Sequence, residues 1–152
     1  MLRADHIVFP VWNAQASLDF YRGTMGFALV DTHEGADWGG HPWLMMVFAV
    51  GDGREVVLVS LKGAQPPPRS ALPSDAHHLA FAESTPERLD EWRRKLAAAG
   101  IAFHEESHGP QSSLYFEDPN GVTLEIAAPP SAPASEENAE ALAAARRWIA
   151  QS

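Results

Sequence analysis

One short pattern opens two stretches of this chain: His6-Ile7-Val8-Phe9 and, much later, His78-Leu79-Ala80-Phe81. Gly26-Phe27 is matched by Gly100-Ile101 and Gly53 by Gly121, at nearly the same spacing. Landmarks recurring in one order are the mark of a repeated supersecondary unit. Each half is too short to bury much core alone, so the two halves must share one. The expected fold class is α+β: paired βαβββ modules forming a curled mixed sheet around a cleft, with a helix added at the C-terminus.

The local signals give the modules their elements. Residues 5–11 read as a strand that Pro10 prevents from continuing a ladder. Asn13 can cap a helix bearing Ala16, Leu18, Phe20 and Tyr21, and residues 27–30 form the next strand. The Gly- and Trp-rich stretch 34–43 reads as a loop, and 44–50 and 56–61 as a hairpin around Gly51-Asp52-Gly53. The second module repeats this order. A strand covers 76–81, a helix starts at Thr85-Pro86 with Leu89, Trp92 and Leu96 on its core face, and Gly100 ends it. A strand at 101–103 and a hairpin of 113–116 and 122–126 complete the unit.

The predicted domain is 1–127, with modules at 4–62 and 74–127 joined by the Pro-rich linker 63–73. A second Pro-rich linker, 128–134, leads to a helix over 135–152. Ser135 is its expected start, acids lie early, and Arg146 and Arg147 lie late. Its apolar edge, Leu142, Ala145, Trp148 and Ile149, packs on its own domain or on a partner subunit. A homodimer is expected.

Charge narrows the function classes. Eleven Lys and Arg against twenty Asp and Glu leave a formal net charge of −9, and Arg93-Arg94-Lys95 is the largest basic cluster. No footprint exists for a phosphate backbone or an anionic membrane surface, so neither nucleic acid nor membrane is an expected partner. No apolar run approaches the ~20 residues of a membrane helix, and the first residues lack the apolar core of a signal peptide. A cytoplasmic protein acting on a small molecule is expected. With no cysteine in the chain, any metal site must use histidine and carboxylate.

Strand parity then selects donors. In the first strand His6 and Val8 share one face and Ile7 and Phe9 the other; in the matching strand His78 and Ala80 oppose Leu79 and Phe81. If the bulky faces meet the helices, His6 and His78 both point into the cleft. On the last strand Val122, Leu124 and Ile126 go with the helix, leaving Thr123 and Glu125 inward. His6, His78 and Glu125 thus form a 2-His-1-carboxylate set, which holds a divalent first-row metal and leaves open positions for substrate. Of the other histidines, His33, His41, His104 and His108 fall in or near loops. Trp38, Trp43, Met45, Met46 and Phe48 could line an aromatic pocket or belong to the core.

Several of these stretches together resemble the vicinal oxygen chelate superfamily over residues 4–127. They are Asp5-His6, Leu18-Asp19-Phe20-Tyr21 with Gly26-Phe27, His78-Leu79-Ala80-Phe81, and the run from Tyr115 through Asp118-Pro119-Asn120-Gly121 to Glu125. The resemblance implies paired modules, a divalent metal in the cleft and chemistry through a bidentate oxygen chelate. Glyoxalase I and the epimerase of that superfamily use a fourth ligand, a carboxylate on the first module's last strand. Laying Gly53 over Gly121 puts Val57 there, and Glu55 could serve only if the register slips by two.

His108, followed by Tyr115 and then Glu125, resembles the extradiol dioxygenase signature, although Glu106 stands where that pattern prefers Gly, Asn, Thr or an aliphatic residue. By that resemblance Tyr115 and His108 are catalytic, hydrogen-bonding the reacting oxygen, and the metal is Fe(II) or Mn(II), with Zn(II) or Ni(II) as alternatives. The additional acid–base histidine of extradiol enzymes has no counterpart in 62–76. His77 faces away by parity, and His41 is a further candidate. The expected function is a metal-dependent enzyme of the extradiol dioxygenase kind acting on a catechol-like substrate. The alternatives are a glyoxalase I-like lyase or isomerase, a fosfomycin-resistance-like transferase, and a metal-free bleomycin-resistance-like binding protein.

Overall fold

Two sheets of identical internal order arise from the two halves of the sequence. A computed structural model of the chain describes residues 3–51, 53–69, 71–132 and 136–151. The first sheet runs β1 (His6–Pro10), β4 (Glu55–Leu61), β3 (His41–Ala49), β2 (Ala28–Trp38). The second runs β5 (His78–Ala82), β8 (Thr123–Ala128), β7 (Gln111–Glu117), β6 (Phe103–His108). In each, the first strand of the module lies parallel to the last, and the remaining pairs are antiparallel. A helix fills each crossover: α1 (Ala14–Asp19), which continues as a π-turn over Phe20–Thr24, and α2 (Pro86–Ala98). The expected α+β fold of two βαβββ units with a terminal helix, α3 (Ala139–Ile149), is what the chain forms. Its strands divide between two four-stranded mixed sheets.

Burial explains why the halves stay together. Phe9, Met46, Phe48, Val56 and Leu58 from the first sheet and Leu114, Phe116, Leu124 and Ile126 from the second form one cluster with Phe20, Tyr21, Leu89 and Leu96. Removing that apolar area from water is the main force on the fold, at roughly 25 cal/mol per Å². Polar bonds fix the fit between modules. The Trp12 amide donates to Asn120 Oδ1 at 2.9 Å, Asn120 Nδ2 donates to Ser17 Oγ at 2.9 Å, and the Tyr21 hydroxyl donates to Asp118 Oδ2 at 3.2 Å.

Local chemistry accounts for the agreements and the departures. Asn13 caps α1 by accepting from the Ala16 amide at 3.0 Å, as its position predicts. The stretch 34–43 is not a loop: β2 continues to Trp38 and β3 begins at His41, with Gly39 and Gly40 between them at φ 61° and 91°. A two-residue turn of positive φ suits the twist of a hairpin, and glycine reaches it without strain. Likewise β6 runs to His108 and β7 starts at Gln111, so 104–108 is strand. Polar residues on both faces hid that strand from a hydrophobic pattern. The terminal helix begins four residues after the expected Ser135, because Asn138 accepts from the Glu140 and Ala141 amides and caps it. Ser135 and Asp52 of the Gly51–Gly53 turn lie outside the described residues. Among the described residues no helix is long and apolar enough to cross a membrane.

Candidate functional site

The two ladders carry the donors in a register that can be compared position by position. Across the parallel pairs His6 faces Glu55 and Val8 faces Val57, while His78 faces Thr123 and Ala80 faces Glu125. Val57 therefore occupies the place of Glu125 in the first module, and Glu55 the place of Thr123. The β1–β4 ladder keeps the register expected from Gly53 over Gly121, with no slip of two. Glu55 nonetheless sits directly beside His6.

A cleft of about 980 Å³ lies between the two modules. Asp5, His6 and Glu55 line it from one side, and Ala80, Glu125 and Ala127 from the other. The structure thus places His6 and Glu125 in one cleft and brings His78 against Glu125, with His78 Nε2 2.9 Å from Glu125 Oε2. Glu125 is 6% exposed, so its carboxylate has left bulk water. Such a group needs compensation by donors or a cation.

Both histidines are held in the same way. His6 Nδ1 lies 2.9 Å from Asp5 Oδ2, and His78 Nδ1 lies 2.6 Å from the Asp75 carbonyl oxygen. A carbonyl and a carboxylate can only accept, so each Nδ1 carries the proton and donates. Each Nε2 is the nitrogen left for a further partner, and for His78 it points at Glu125. An oxygen acceptor on one ring nitrogen that fixes the tautomer and frees the other is the arrangement found around metal-ligating imidazoles. These tautomers suit metal ligation, but the donor atoms of His6, His78 and Glu125 do not all lie within 4.8 Å of one another in this structure.

Tyr115 stands at the middle of the second sheet's open face. It pairs with Glu125 on β8 and with His104 on β6. The His104 ring stacks on it at 5.0 Å between centroids, and the His78 ring meets it edge-on at 5.5 Å. His108 Nε2 is 3.4 Å from the Tyr115 hydroxyl. His108 thus reaches Tyr115 from β6, not from the loop expected for it. Burial, and after it the neighbouring Glu125 carboxylate, push the Tyr115 hydroxyl above the usual tyrosine range. On the same face of β7, the Ser113 hydroxyl is buried with no hydrogen-bond partner among the described residues.

Other candidates fall elsewhere. His41 opens β3, its Nδ1 3.0 Å from the Lys62 carbonyl. His33 lies on β2 with Nε2 3.2 Å from Asp31 Oδ2. His77 precedes β5 and lines a groove with Pro66, Pro67 and Pro68. Trp38 and Trp43 meet edge-on at 5.5 Å beside the Gly39–Gly40 turn, while Met46 and Phe48 belong to the main core, so these residues do not line the cleft of His6 and Glu125.

Reasoning from sequence missed one grouping. A carboxylate oxygen of Asp75, a ring nitrogen of His104 and a carboxylate oxygen of Glu106 lie within 4.8 Å of one another, the one such trio of donors among the described residues. The period-two spacing of His104, Glu106 and His108 was its available signal.

Comparison with known proteins follows this geometry. Residues 3–126 match the family model described as the Glyoxalase/Bleomycin resistance protein/Dioxygenase superfamily. No curated protein matches the sequence. Among solved structures, a glyoxalase/dioxygenase from Nostoc punctiforme is 24% identical with a TM-score of 0.64, over 85% of this chain and 92% of that one. Lactoylglutathione lyase from Agrobacterium tumefaciens is 20% identical with a TM-score of 0.60, over 82% and 92%. The genomically encoded fosfomycin resistance protein FosX from Listeria monocytogenes is 18% identical with a TM-score of 0.62, over 84% and 93%. At these identities the likeness is one of fold.

Proposed function

The chain belongs to the Glyoxalase/Bleomycin resistance protein/Dioxygenase superfamily, and from that premise we propose a metal-dependent enzyme that takes a small substrate through two adjacent oxygens. Its ligands are His6, His78 and Glu125, its metal is Fe(II) or Mn(II), and its substrate class is a catechol opened by dioxygen. The observation that carries the reading is the shared tethering of the two histidines, each Nδ1 held by an oxygen and each Nε2 left for a ligand. An ion bound there supplies a Lewis acid that raises the acidity of the substrate hydroxyls.

The residues around it have separate tasks. Tyr115 keeps its proton at neutral pH and so donates a hydrogen bond to the substrate oxygen on which charge develops. His108, 3.4 Å away, can hold or return a proton at that hydroxyl. On the face of β1 and β4 that carries His6, Val8 and Val57 pair side by side as apolar neighbours of that ligand. The His104 ring stacks on Tyr115 and fixes its plane.

A second reading is favoured by Glu55, which faces His6 across the ladder and lines the cleft. As a fourth carboxylate ligand it would suit a glyoxalase I-like lyase or isomerase, or a fosfomycin-resistance-like transferase, with Zn(II) or Ni(II). A homodimer remains part of the proposal, α3 leaving Trp148 72% and Ile149 65% exposed.

Anaerobic loading with Fe(II), then oxygen-electrode assay over a panel of catechols, tests the first reading. Oxygen uptake that disappears in His78→Ala and Glu125→Ala is the expected result. No uptake across the panel, with activity instead on a thiol adduct after Zn(II) or Ni(II) loading, would overturn it in favour of the second. Unchanged metal content in His6→Ala, His78→Ala and Glu125→Ala would overturn both readings that place a metal on these residues.

A further inference from the structure

We propose that Asp75, His104 and Glu106 form a second divalent-cation site, separate from His6, His78 and Glu125, that clips the segment before β5 across the second sheet. The trio is assembled from distant parts of the fold. Asp75 belongs to the 3-10 turn Ser74–Ala76 that enters β5 at one edge of the sheet, whereas His104 and Glu106 lie on β6 at the other edge. The turn crosses the open face between them. The Thr123 hydroxyl donates to the Ser74 carbonyl at 2.9 Å, and His78 Nδ1 holds the Asp75 carbonyl, so the Asp75 carboxylate is free to extend toward β6.

The donors are also oriented. Glu105, between the two ligands on β6, accepts from Arg93 Nε of α2 at 3.0 Å, which turns Glu105 to the helix side and His104 and Glu106 to the open face. Stacking on Tyr115 fixes the plane of the His104 ring. His108 Nε2, 3.5 Å from Glu106 Oε2, steadies the second ligand. A first-row divalent ion with bonds of about 2.0–2.2 Å holds its ligands roughly 3–3.5 Å apart. His104 Nε2 and Glu106 Oε1 are 3.8 Å apart, so modest side-chain rotation closes the set.

Electrostatics points the same way. Two carboxylates approach here in a chain of net charge −9, and among the described residues no lysine or arginine pairs with either. Repulsion between like charges at this range is relieved by a cation. One imidazole with two carboxylates suits Zn(II), Mn(II) or Ni(II) better than Ca(II), which takes oxygen ligands only.

Chelator-stripped protein titrated with Zn(II) in a calorimeter, and with Mn(II) by equilibrium dialysis, tests the site. Asp75→Asn and Glu106→Gln lie at exposed or half-exposed positions and preserve side-chain volume. Each is expected to weaken one binding equivalent about 10- to 100-fold, while Glu125→Gln leaves that equivalent intact. Mn(II) should broaden the His104 ring resonances in the wild type and spare them in Asp75→Asn. Binding unchanged in both variants, or lost only in Glu125→Gln, would overturn the proposal. One equivalent that depends on Glu106 and not on Glu125 would support this site while removing the proposed function's own ligand set, so the two fail separately.

Discussion

The Tyr21 hydroxyl donates to Asp118 Oδ2 at 3.2 Å across 97 residues of sequence, both side chains buried. Asp118 is the first residue of the turn between β7 and β8, and its other oxygen accepts from the Asn120 and Val122 amides at 2.8 and 2.9 Å. A helix of the first module thus holds the turn from which the last strand of the second begins.

Removing the link separates two contributions. Tyr21→Phe keeps the ring contacts with Phe20 and Phe48 and should cost about 1.5–3 kcal/mol in urea unfolding, the value of one hydrogen bond to a charged group. Asn120→Ala removes the side-chain bonds to Trp12 and Ser17 and the one from Nδ2 to Asp118 Oδ2 at 3.1 Å, and should cost more than Tyr21→Phe.

Alkali should be resisted by both tyrosines until the fold yields. Burial raises the Tyr21 and Tyr115 hydroxyls above the usual tyrosine range, and a carboxylate beside each raises them further. Above pH 10 the unfolded chain therefore holds fewer protons than the folded one, and stability falls as pH rises beyond that point. These are the two tyrosines of the chain. Phenolate absorbance near pH 10 should be well below half of the denatured value, and Tyr115 should titrate before Tyr21.

Loss of the Tyr115 hydroxyl should act on rate. Tyr115→Phe is expected to lower kcat in the catechol assay by about 100-fold with little change in metal content, the usual scale for one donor aimed at developing charge. An equal loss of bound metal would mean that Tyr115 positions Glu125 instead.

Leu124 is fully buried on β8 between the parallel and antiparallel ladders. Leu124→Ala should destabilise by about 2–5 kcal/mol in denaturant titration. Trp148→Ala, at a position 72% exposed, should change monomer stability by less than about 0.5 kcal/mol. Sedimentation of the two proteins checks whether that residue serves the proposed homodimer.

The repeat and the strand parity were legible because buried faces impose them. Ile7 and Phe9, like Leu79 and Phe81, pack into the shared core, and this orients His6 and His78 without any knowledge of the site. The β6 strand was illegible for the opposite reason. Residues 103–108 are all exposed, so no apolar alternation announced them, and pairing with β7 alone makes them a strand. The same blindness hid the grouping of Asp75 with His104, which depends on a turn crossing the sheet. The Gly39–Gly40 turn looks like part of a loop in the sequence because long loops and two-residue hairpins share a glycine-rich composition.

The turn at Asp118 has one more consequence. Parity in a strand is absolute: sliding β7 by a single residue against β8 would turn Tyr115 and Ser113 to the opposite face of the sheet and bring Leu114 and Phe116 to the face that carries Glu125. What prevents this is the length and bonding of the four residues from Asp118 to Gly121, with the Gly121 amide donating to the Asp118 carbonyl at 3.1 Å. The turn acts as the indexing stop of a ratchet, and because Tyr21 grips the same aspartate, docking of the first module locks that stop. An insertion or deletion there would leave every side chain of the site in the sequence and none of its chemistry in place.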